Sequence, residues 1–557
     1  MRVIDIENVT VELGGKTVVD GVTLGVDEED VIGLVGESGC GKTALLHAAY
    51  GVEGYEPVSG DVIYHVKICT NERCNEAHIP SHEGGCRKCG SPVEAKDVNL
   101  WKPENESDAL AVKNRTSIML QRSFSLYSMR STFENIVDAL VTIRYPVELR
   151  RERAMELINL VGLAHRTTHI ARDLSGGEKQ RLVLIRQIAM EPIVLFLDEP
   201  SGTLDPITAE YIYGVLGKLV KETKVTVLLA SHLPKFTGLA VQTLGLMEAG
   251  KILQVGEPAE IAERFMAKVP PKYESKVTIG DPIIEIRDLK KYYYTVDRGI
   301  IKAVDGVNIT IRERSIHGLL GFSGSGKTTL VKIMMGDPSI TGYDGTCRVR
   351  ANGEWIDMHP SNRGGRGKAL AMMSTSYQEY DMTAFKTVWQ ELRGVLPELS
   401  DEEAKERIYE VLRLLEFDDD HIAEMLDRDT DALSEGEKQR MLVGFALLTK
   451  PKIAYLDEPS GTLDPISMRK LANGVLRARD ELGTTFVIIT HDIDFAADVC
   501  DYMDTMELGK VIYSGNEPEK AIEAMRAASN VKLEQVVDKK TLEEWILKTS
   551  FKYMRKA

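Results

Sequence analysis

Short unbroken apolar runs recur along this chain, and they come in matched pairs. VIGLV (31–35) and IHGLL (316–320) each lead into a glycine-rich turn. VLFLD (194–198) and IAYLD (453–457) each end on an aspartate followed by a glutamate, and VTVLLAS (225–231) and TFVIIT (485–490) are each followed by a histidine. Runs of this length without polar alternation read as buried strands. The opening MRVIDIENVTVEL reads as a first strand rather than the basic-then-apolar layout of a signal peptide. After about Val511 the apolar spacing changes to three and four, so EKAIEAMRAA and LEEWILKTSFKYM predict a helical tail. AKVPPKYESKVTIGDP (267–282) is polar, carries three prolines and separates the two sets of runs. The expected layout is therefore a first domain over 1–266, a linker over 267–282, a second domain over 283–515 and a tail over 516–557.

The pairing extends to the polar residues. LDEPSGTLDPI occurs identically at 197–207 and 456–466. GESGCGKT (36–43) and GFSGSGKT (321–328) both fit G-x-x-x-x-G-K-[ST], and LSGGEKQR (174–181) matches LSEGEKQR (433–440). Ser175 precedes Asp198 by 23 positions, as Ser434 precedes Asp457, and 34 positions separate each aspartate from its histidine, His232 or His491. Lys42 lies 79 positions before Gln121, but Lys327 lies only 51 before Gln378. The first half thus carries about 28 extra residues in one place, if equal spacing elsewhere means equal structure.

Each motif has a physical reading. In a P-loop, glycines let the backbone wrap phosphates and turn its N–H groups inward, at the positive end of a helix. Gly36, Gly39 and Gly41, and Gly321, Gly324 and Gly326, supply that cradle. Lys42 and Lys327 would meet the terminal phosphates of ATP, and Thr43 and Thr328 would hold Mg²⁺. Asp198 and Asp457 at strand ends suit Mg²⁺ coordination. Glu199 and Glu458, one residue on, face the other side and can polarise an attacking water. A solvent-exposed acidic strand end is the plain alternative, and the apolar strand before it argues against that. Ser175 with Gly177, and Ser434 with Gly436, stand where a helix begins and could meet phosphate, though a simple helix cap explains the motif taken alone.

Cys69, Cys74, Cys86 and Cys89 fall within the surplus, in an insertion over about 62–97, as C-x4-C-x11-C-x2-C. Four thiolates in paired spacing suit tetrahedral Zn²⁺, which would pin a short insertion with almost no core of its own. An iron–sulfur cluster is the competing reading and fits the spacing less well; free loop thiols are a third. His65, His78 and His82 lie nearby and are expected to be solvated or to support the site from outside. Cys40, within the first P-loop, is expected to serve as a small packing residue. Seven cysteines without an export signal point to a reducing cytoplasm.

Length and charge bound the rest. A chain of 557 residues is too long for one core. A formal net charge of −16 disfavours a broad nucleic-acid surface. No apolar run approaches the roughly 18–20 residues that span a bilayer.

The P-loop, glutamine, LSGG-type, LDEP, SGTLD and histidine motifs, in that order and twice, resemble those of ATP-binding cassette (ABC) ATPases over nearly the whole chain. The resemblance implies an α/β fold: two nucleotide-binding domains in tandem, each with a RecA-like core and a helical subdomain, plus the cysteine-rich insertion. It implies head-to-tail pairing. One ATP would be held by Lys42, Thr43, Gln121, Asp198, Glu199 and His232 with Ser434 and Gly436. The other would be held by Lys327, Thr328, Gln378, Asp457, Glu458 and His491 with Ser175 and Gly177. It also implies Mg²⁺ held by Thr43, Gln121 and Asp198, and by Thr328, Gln378 and Asp457. Two departures stand out. Glu435 replaces a glycine, and a carboxylate beside a triphosphate would slow that site unless it points away. Tyr292 or Tyr293 can stack on adenine in the second half, where the first offers only Leu13.

QRSFSLYSMRSTFENI and AVDGVNITI look like segments of peptide-transporter ATPases, which keeps a peripheral transporter subunit open, and a ribosome- or DNA-associated ABC factor is a further class. Taken whole, the tandem layout, the insertion confined to the first half and the doubled LDEPSGTLDPI resemble the component A2 family of the methyl-coenzyme M reductase activation system of methanogens. That resemblance implies ATP-dependent reductive activation of the nickel cofactor F430, with methyl-coenzyme M reductase and its activation proteins as partners.

Overall fold

The computed structural model describes residues 1–120, 126–201, 206–295, 299–322, 324–362, 364–376, 386–461 and 463–528. The chain divides into two compact units between Lys268 and Val269. Among the described residues each unit holds one antiparallel sheet and one six-stranded, mainly parallel sheet.

In the first unit the six strands run in the order Lys251–Gly256, Thr243–Glu248, Val31–Val35, Thr226–Ser231, Val194–Asp198, Thr116–Met119. The apolar runs are its centre: every residue of Val31–Val35, Val194–Asp198 and Thr226–Ser231 is buried. Only Lys251–Gly256 pairs antiparallel, at the sheet's edge. The second unit repeats the order in mirror listing, from Met373–Ser376 through Ile453–Asp457, Thr485–Thr490, Ile316–Leu320 and Tyr502–Glu507 to Lys510–Gly515. All the acidic and histidine ends therefore emerge at the carboxyl edges of neighbouring parallel strands, where open α/β sheets place ligand sites.

Helices Thr132–Thr142, Arg150–Leu160 and Gly176–Ala189 pack on one another in the first unit. Val388–Gly394, Asp401–Leu414, Asp419–Leu426 and Glu435–Leu447 do so in the second. The segment expected as linker is tied to the second unit from Tyr273 onward. Tyr273 donates its N–H to Asn473 Oδ1 at 2.8 Å, and Ser275 donates its hydroxyl to Asp480 at 2.7 Å. Of the expected tail, Pro518–Ala528 is helical; LEEWILKTSFKYM lies outside the described residues.

The surplus residues of the first half lengthen a hairpin. Strand Pro57–Cys69 pairs with Val93–Asn99 from Ile63 opposite Asn99 to Cys69 opposite Val93. The short strand Ala77–His78 adds to it at Lys67 and Ile68. The corresponding hairpin of the second unit is Asp344–Ala351 with Glu354–Asp357. The insertion borrows the unit's core: Val66, Ile68 and Ala77 are buried in the same cluster as Leu45, Leu46 and Phe196.

Phe486 is fully buried on strand Thr485–Thr490, in one core cluster with strand residues Ile316 and Leu456 and helix residues Leu471 and Val475. Phe486→Ala should cost about 3–5 kcal/mol, from lost transfer energy and the cavity left behind. In urea unfolding this reads as a lower midpoint at unchanged slope.

Candidate active site

Each P-loop joins a buried strand to a helix, Val31–Val35 to Lys42–Tyr50 and Ile316–Leu320 to Lys327–Met334. Gly41 and Gly326 precede these helices at φ 106° and 108°. A Cβ would stand 2.2 Å from Val18 O at the first and 1.9 Å from Ala303 O at the second, so no side chain fits. Gly36 and Gly321 are similarly closed, by the carbonyls of Met247 and Met506. Gly39 and Gly324, both left-handed, complete the turns. Lys42 is buried and donates through Nζ to Gly36 O and Glu37 O, both at 2.9 Å. Lys327 does the same to Gly321 O at 2.6 Å and Phe322 O at 3.0 Å. Each ammonium thus spans its own loop, and a bound phosphate would compete with the loop carbonyls for it. Burial pulls the Lys327 ammonium below its usual range. Thr43 and Thr328 follow as the second residues of the helices, both exposed.

Asp198 and Asp457 close the strands from the other side. Thr43 donates its hydroxyl to Asp198 Oδ1 at 3.0 Å, so these two proposed Mg²⁺ ligands already touch. Burial, and then the neighbouring Glu199 charge, push the Asp198 carboxyl up to about 6, against the pull of Thr43 and Lys42. Burial and Glu458 do the same to Asp457, also to about 6. A bound cation would reverse that shift, since opposite charge favours the ionised carboxylate.

Glu199 and Glu458 turn away through left-handed φ of 50° and 48°. Their N–H groups bond Ala230 O at 3.0 Å and Ile489 O at 2.8 Å, on the next strand. Each carboxylate then meets the histidine at the end of that strand: Glu199 Oε2 lies 2.7 Å from His232 Nδ1, and Glu458 Oε2 lies 2.9 Å from His491 Nδ1. The histidine N–H groups donate to the same oxygens at 3.3 and 3.2 Å. Burial works to raise the Glu199 carboxyl, and the His232 imidazole and Lys42 ammonium outweigh it, holding it below the usual range. An ionised, oriented glutamate beside a phosphate cradle is the arrangement that can align and polarise a water.

Ser175 and Ser434 cap the helices Gly176–Ala189 and Glu435–Leu447, with Gly177 and Gly436 in the first turn. Both form complete capping boxes. Glu178 accepts the Ser175 N–H at 2.8 Å, and Glu437 accepts the Ser434 N–H at 2.7 Å. Arg166 braces Glu178 at 2.7 Å, while His421 and Arg428 brace Glu437 at 2.6 and 3.1 Å. These glutamates escaped the sequence reading, although S-x-x-E in both motifs is the signal that finds them. Glu435 is the first residue of its helix and half-buried. Tyr293 is partly exposed on strand Pro282–Thr295 under the Lys291 ammonium, 5.0 Å from its ring. Tyr292 instead bonds Asp305, and Leu13 packs on the first unit's core. Gln121 and Gln378 lie outside the described residues.

The four cysteine Sγ atoms converge within 4.8 Å of one another, with Cys69 to Cys89 at 3.5 Å and Cys74 to Cys86 at 3.7 Å. Sulfurs about 2.3 Å from one tetrahedral ion would stand about 3.8 Å apart. An iron–sulfur cube interposes its irons and spreads its thiolates further. The quartet could therefore hold a single metal ion. Hydrogen bonds from the Ser91 side chain and backbone pull the exposed Cys89 thiol down to about 6. Burial and the neighbouring thiols push Cys74 up to about 12. Of the two expectations for His78, a solvated ring or one supporting the site from outside, the first does not hold: it is buried, stacked 4.4 Å from His82, and burial drives it down to about 4. His65 bridges Asp97 and Asp5 at 2.7 and 3.0 Å.

The family profile described as ABC transporter matches residues 19–202 and 304–461, once in each unit. The chain belongs to the ABC transporter family. It is a tandem ABC ATPase, and such ATPases bind ATP with Mg²⁺. It is similar to an uncharacterized ABC transporter ATP-binding protein of Methanocaldococcus jannaschii, 39% identical over 528 residues, covering 94% of this chain and 96% of the relative. A second protein of that description from the same organism is 28% identical over 601 residues, covering 96% and 98%. Among solved structures, an RNase-L inhibitor aligns with TM-score 0.58 at 18% identity over 94% of this chain and 93% of its own. An archaeal ribosome recycling factor, solved with a ribosomal stalk protein, aligns at 0.55 and 17% over 93% and 92%. At that identity the likeness is one of fold. No described helix of the ABC ATPase is long and apolar enough to cross a membrane.

Glu437 gives the second capping box a pH signature. Against burial, the Ser434 side chain and N–H, then His421 and Arg428, pull its carboxyl from an ordinary 4.5 down to about 2. Its ionised form stabilises the fold fully above about pH 4.5, and that contribution is lost as pH falls toward 2. Glu437→Gln should remove this acid-side decline, worth at most about 3 kcal/mol, in unfolding measured across that range.

Proposed function

We propose that both ATP sites of this chain are catalytic and that their cycle drives the reductive activation of methyl-coenzyme M reductase. The observation that carries the catalytic half is the preassembled glutamate–histidine pair, at 2.7 Å in one unit and 2.9 Å in the other, beside a buried P-loop lysine in each. Glu199 and Glu458 polarise the attacking water. Lys42 and Lys327 hold the terminal phosphates. Thr43 with Asp198, and Thr328 with Asp457, take Mg²⁺. The activation half is supported by the resemblance to the component A2 family and by a relative in a methanogen that spans 94% of the chain. The nickel cofactor belongs to the partner enzyme. ATP binding and hydrolysis switch the chain between conformations, and a docked partner responds by its different affinity for each.

The four thiols hold one Zn²⁺ in this reading, as a structural clasp. Cys86→Ser with Cys89→Ser should lose one metal per chain and speed proteolysis within residues 65–95. Metal and sulfide analysis of anaerobically purified protein checks the identity; iron with sulfide would replace zinc.

Glu199→Gln with Glu458→Gln should bind ATP normally but hydrolyse it at least about a hundredfold more slowly. In reconstitution with inactive methyl-coenzyme M reductase, an electron donor, ATP and the activation proteins, the wild-type chain should restore methane formation. Lys42→Ala with Lys327→Ala should not. Equal activation without the chain, or with the lysine double variant, overturns the activation role. It would favour the peripheral transporter subunit suggested by the names of the relatives.

A further inference from the structure

In the first unit one side chain, Arg115, stands between the thiol quartet and the strand that ends in Asp198. On the module side, Arg115 Nη1 donates to Glu76 Oε1 at 2.7 Å. Glu76 is two residues past Cys74, its carbonyl accepts the Cys69 N–H at 3.0 Å, and its other oxygen takes Lys88 Nζ at 3.1 Å. Lys88 lies between Cys86 and Cys89, so one glutamate is fastened to both cysteine turns. On the ATPase side, Arg115 Nη2 donates to Glu191 O at 2.7 Å, and Arg115 O accepts the Ile193 N–H at 2.6 Å. Arg87, beside Cys86, also reaches the Glu191 carboxylate at 3.6 Å. Strand Val194–Asp198 begins immediately afterwards and pairs with Thr116–Met119 from Val194 opposite Thr116. The ion pair is shielded: Arg115 and Glu76 side chains are 12% and 15% exposed.

The second unit is an internal control. There the Lys452 N–H bonds Met372 O at 3.0 Å, the bond that Ile193 makes to Arg115. Met372 thus occupies the arginine's place. Lys450, left-handed at φ 48°, occupies that of Glu191 at φ 47°. Among the described residues, the thiol quartet occurs in the first unit alone. The strand pair forms equally well on a methionine, so the sheet itself does not need the arginine.

We propose that Arg115 is a positioning residue that couples closure of the four-thiol module to the Asp198–Glu199 end of the neighbouring strand, making ATP turnover in the first unit dependent on the module's metal. A closed module fixes Glu76, Glu76 fixes the guanidinium, and the guanidinium fixes the entry of a five-residue strand. A strand that short, hydrogen-bonded on both sides, moves as one body, so a shift at Glu191 reaches Asp198. The coupling rests on the catalytic assignment of Asp198 and Glu199 above.

The test strips metal from the full chain with a chelator under reducing, anaerobic conditions. It reads ATP turnover together with amide hydrogen exchange across residues 194–198 and 453–457. In a Glu458→Gln background, where only the first unit's pair is intact, stripping should lower turnover at least about fivefold. It should speed exchange at 194–198 and leave 453–457 unchanged. Arg115→Met, which copies the second unit, should retain the metal, show the lowered turnover and faster exchange while loaded, and gain no further effect on stripping. Arg115→Lys should fall between. Stripping that leaves exchange at 194–198 unchanged, or an Arg115→Met chain that still responds to stripping, overturns the coupling. Loss of all turnover in the Glu458→Gln chain with Arg115 intact counts against independent catalysis by Glu199 and not against the coupling, which the exchange measurement decides by itself.

Discussion

Two neighbouring carboxylates at the dry end of a parallel strand repel each other and resist burial, and the fold of each unit is arranged around that conflict. Asp198 and Glu199 are both buried, as is Glu458. The backbone relieves part of the repulsion by turning the glutamate through a left-handed residue, so that the two carboxylates face different elements. The remainder is met by fixed partners: a threonine hydroxyl on Asp198, a histidine ring on each glutamate, and a P-loop lysine whose ammonium is held by carbonyls of its own loop. What remains unbalanced is the aspartate, pushed up to about 6 in both units. It is the group that a bound divalent cation would relieve.

This constraint explains the order of strands. The carboxylate strand must lie beside the histidine strand for the glutamate–histidine pair to form. The histidine strand must in turn neighbour the strand that feeds the P-loop. Both units adopt that sequence of neighbours, Val194–Asp198 beside Thr226–Ser231 beside Val31–Val35, and Ile453–Asp457 beside Thr485–Thr490 beside Ile316–Leu320. Parallel pairing puts all three ends at one edge, and crossover helices cover both faces, which is why the strands can be apolar throughout. The capping boxes do comparable work for the serine motifs. They tie each serine's N–H and hydroxyl to a braced glutamate, and so define where the helix and its partial positive charge begin.

The two units are not copies in their details, and the differences cluster. The first has the lengthened hairpin, the thiol quartet and the Arg115–Glu76 pair; the second has a short hairpin, Met372 and an exposed tyrosine on its opening strand. Because the insertion grows out of the sheet and shares its core, it is a rigid attachment and not a tethered accessory. A rigid attachment transmits a local change; a tethered one would dissipate it.

The amino-acid sequence alone determined the buried strands, the duplication and the identity of the phosphate and carboxylate motifs. Those depend on local rules: apolar runs with nowhere to go but a covered sheet, glycines that no side chain can replace, and acids placed one after another. The four cysteines were legible for the same reason, since paired spacing reflects local turns. Tertiary structure alone decided which groups meet across long stretches of chain. Nothing in the spacing told that Glu199 takes His232 as its partner through both ring and backbone, that His78 is buried and neutral, or that Arg115 links a cysteine turn to a strand 79 residues on in the sequence from it at Val194. Arginine at a strand entrance carries no motif. Its role exists only because folding brings a glutamate from the insertion and a carbonyl from a helix end to either side of one guanidinium, and such meetings are set by the packing of whole elements, not by any local pattern.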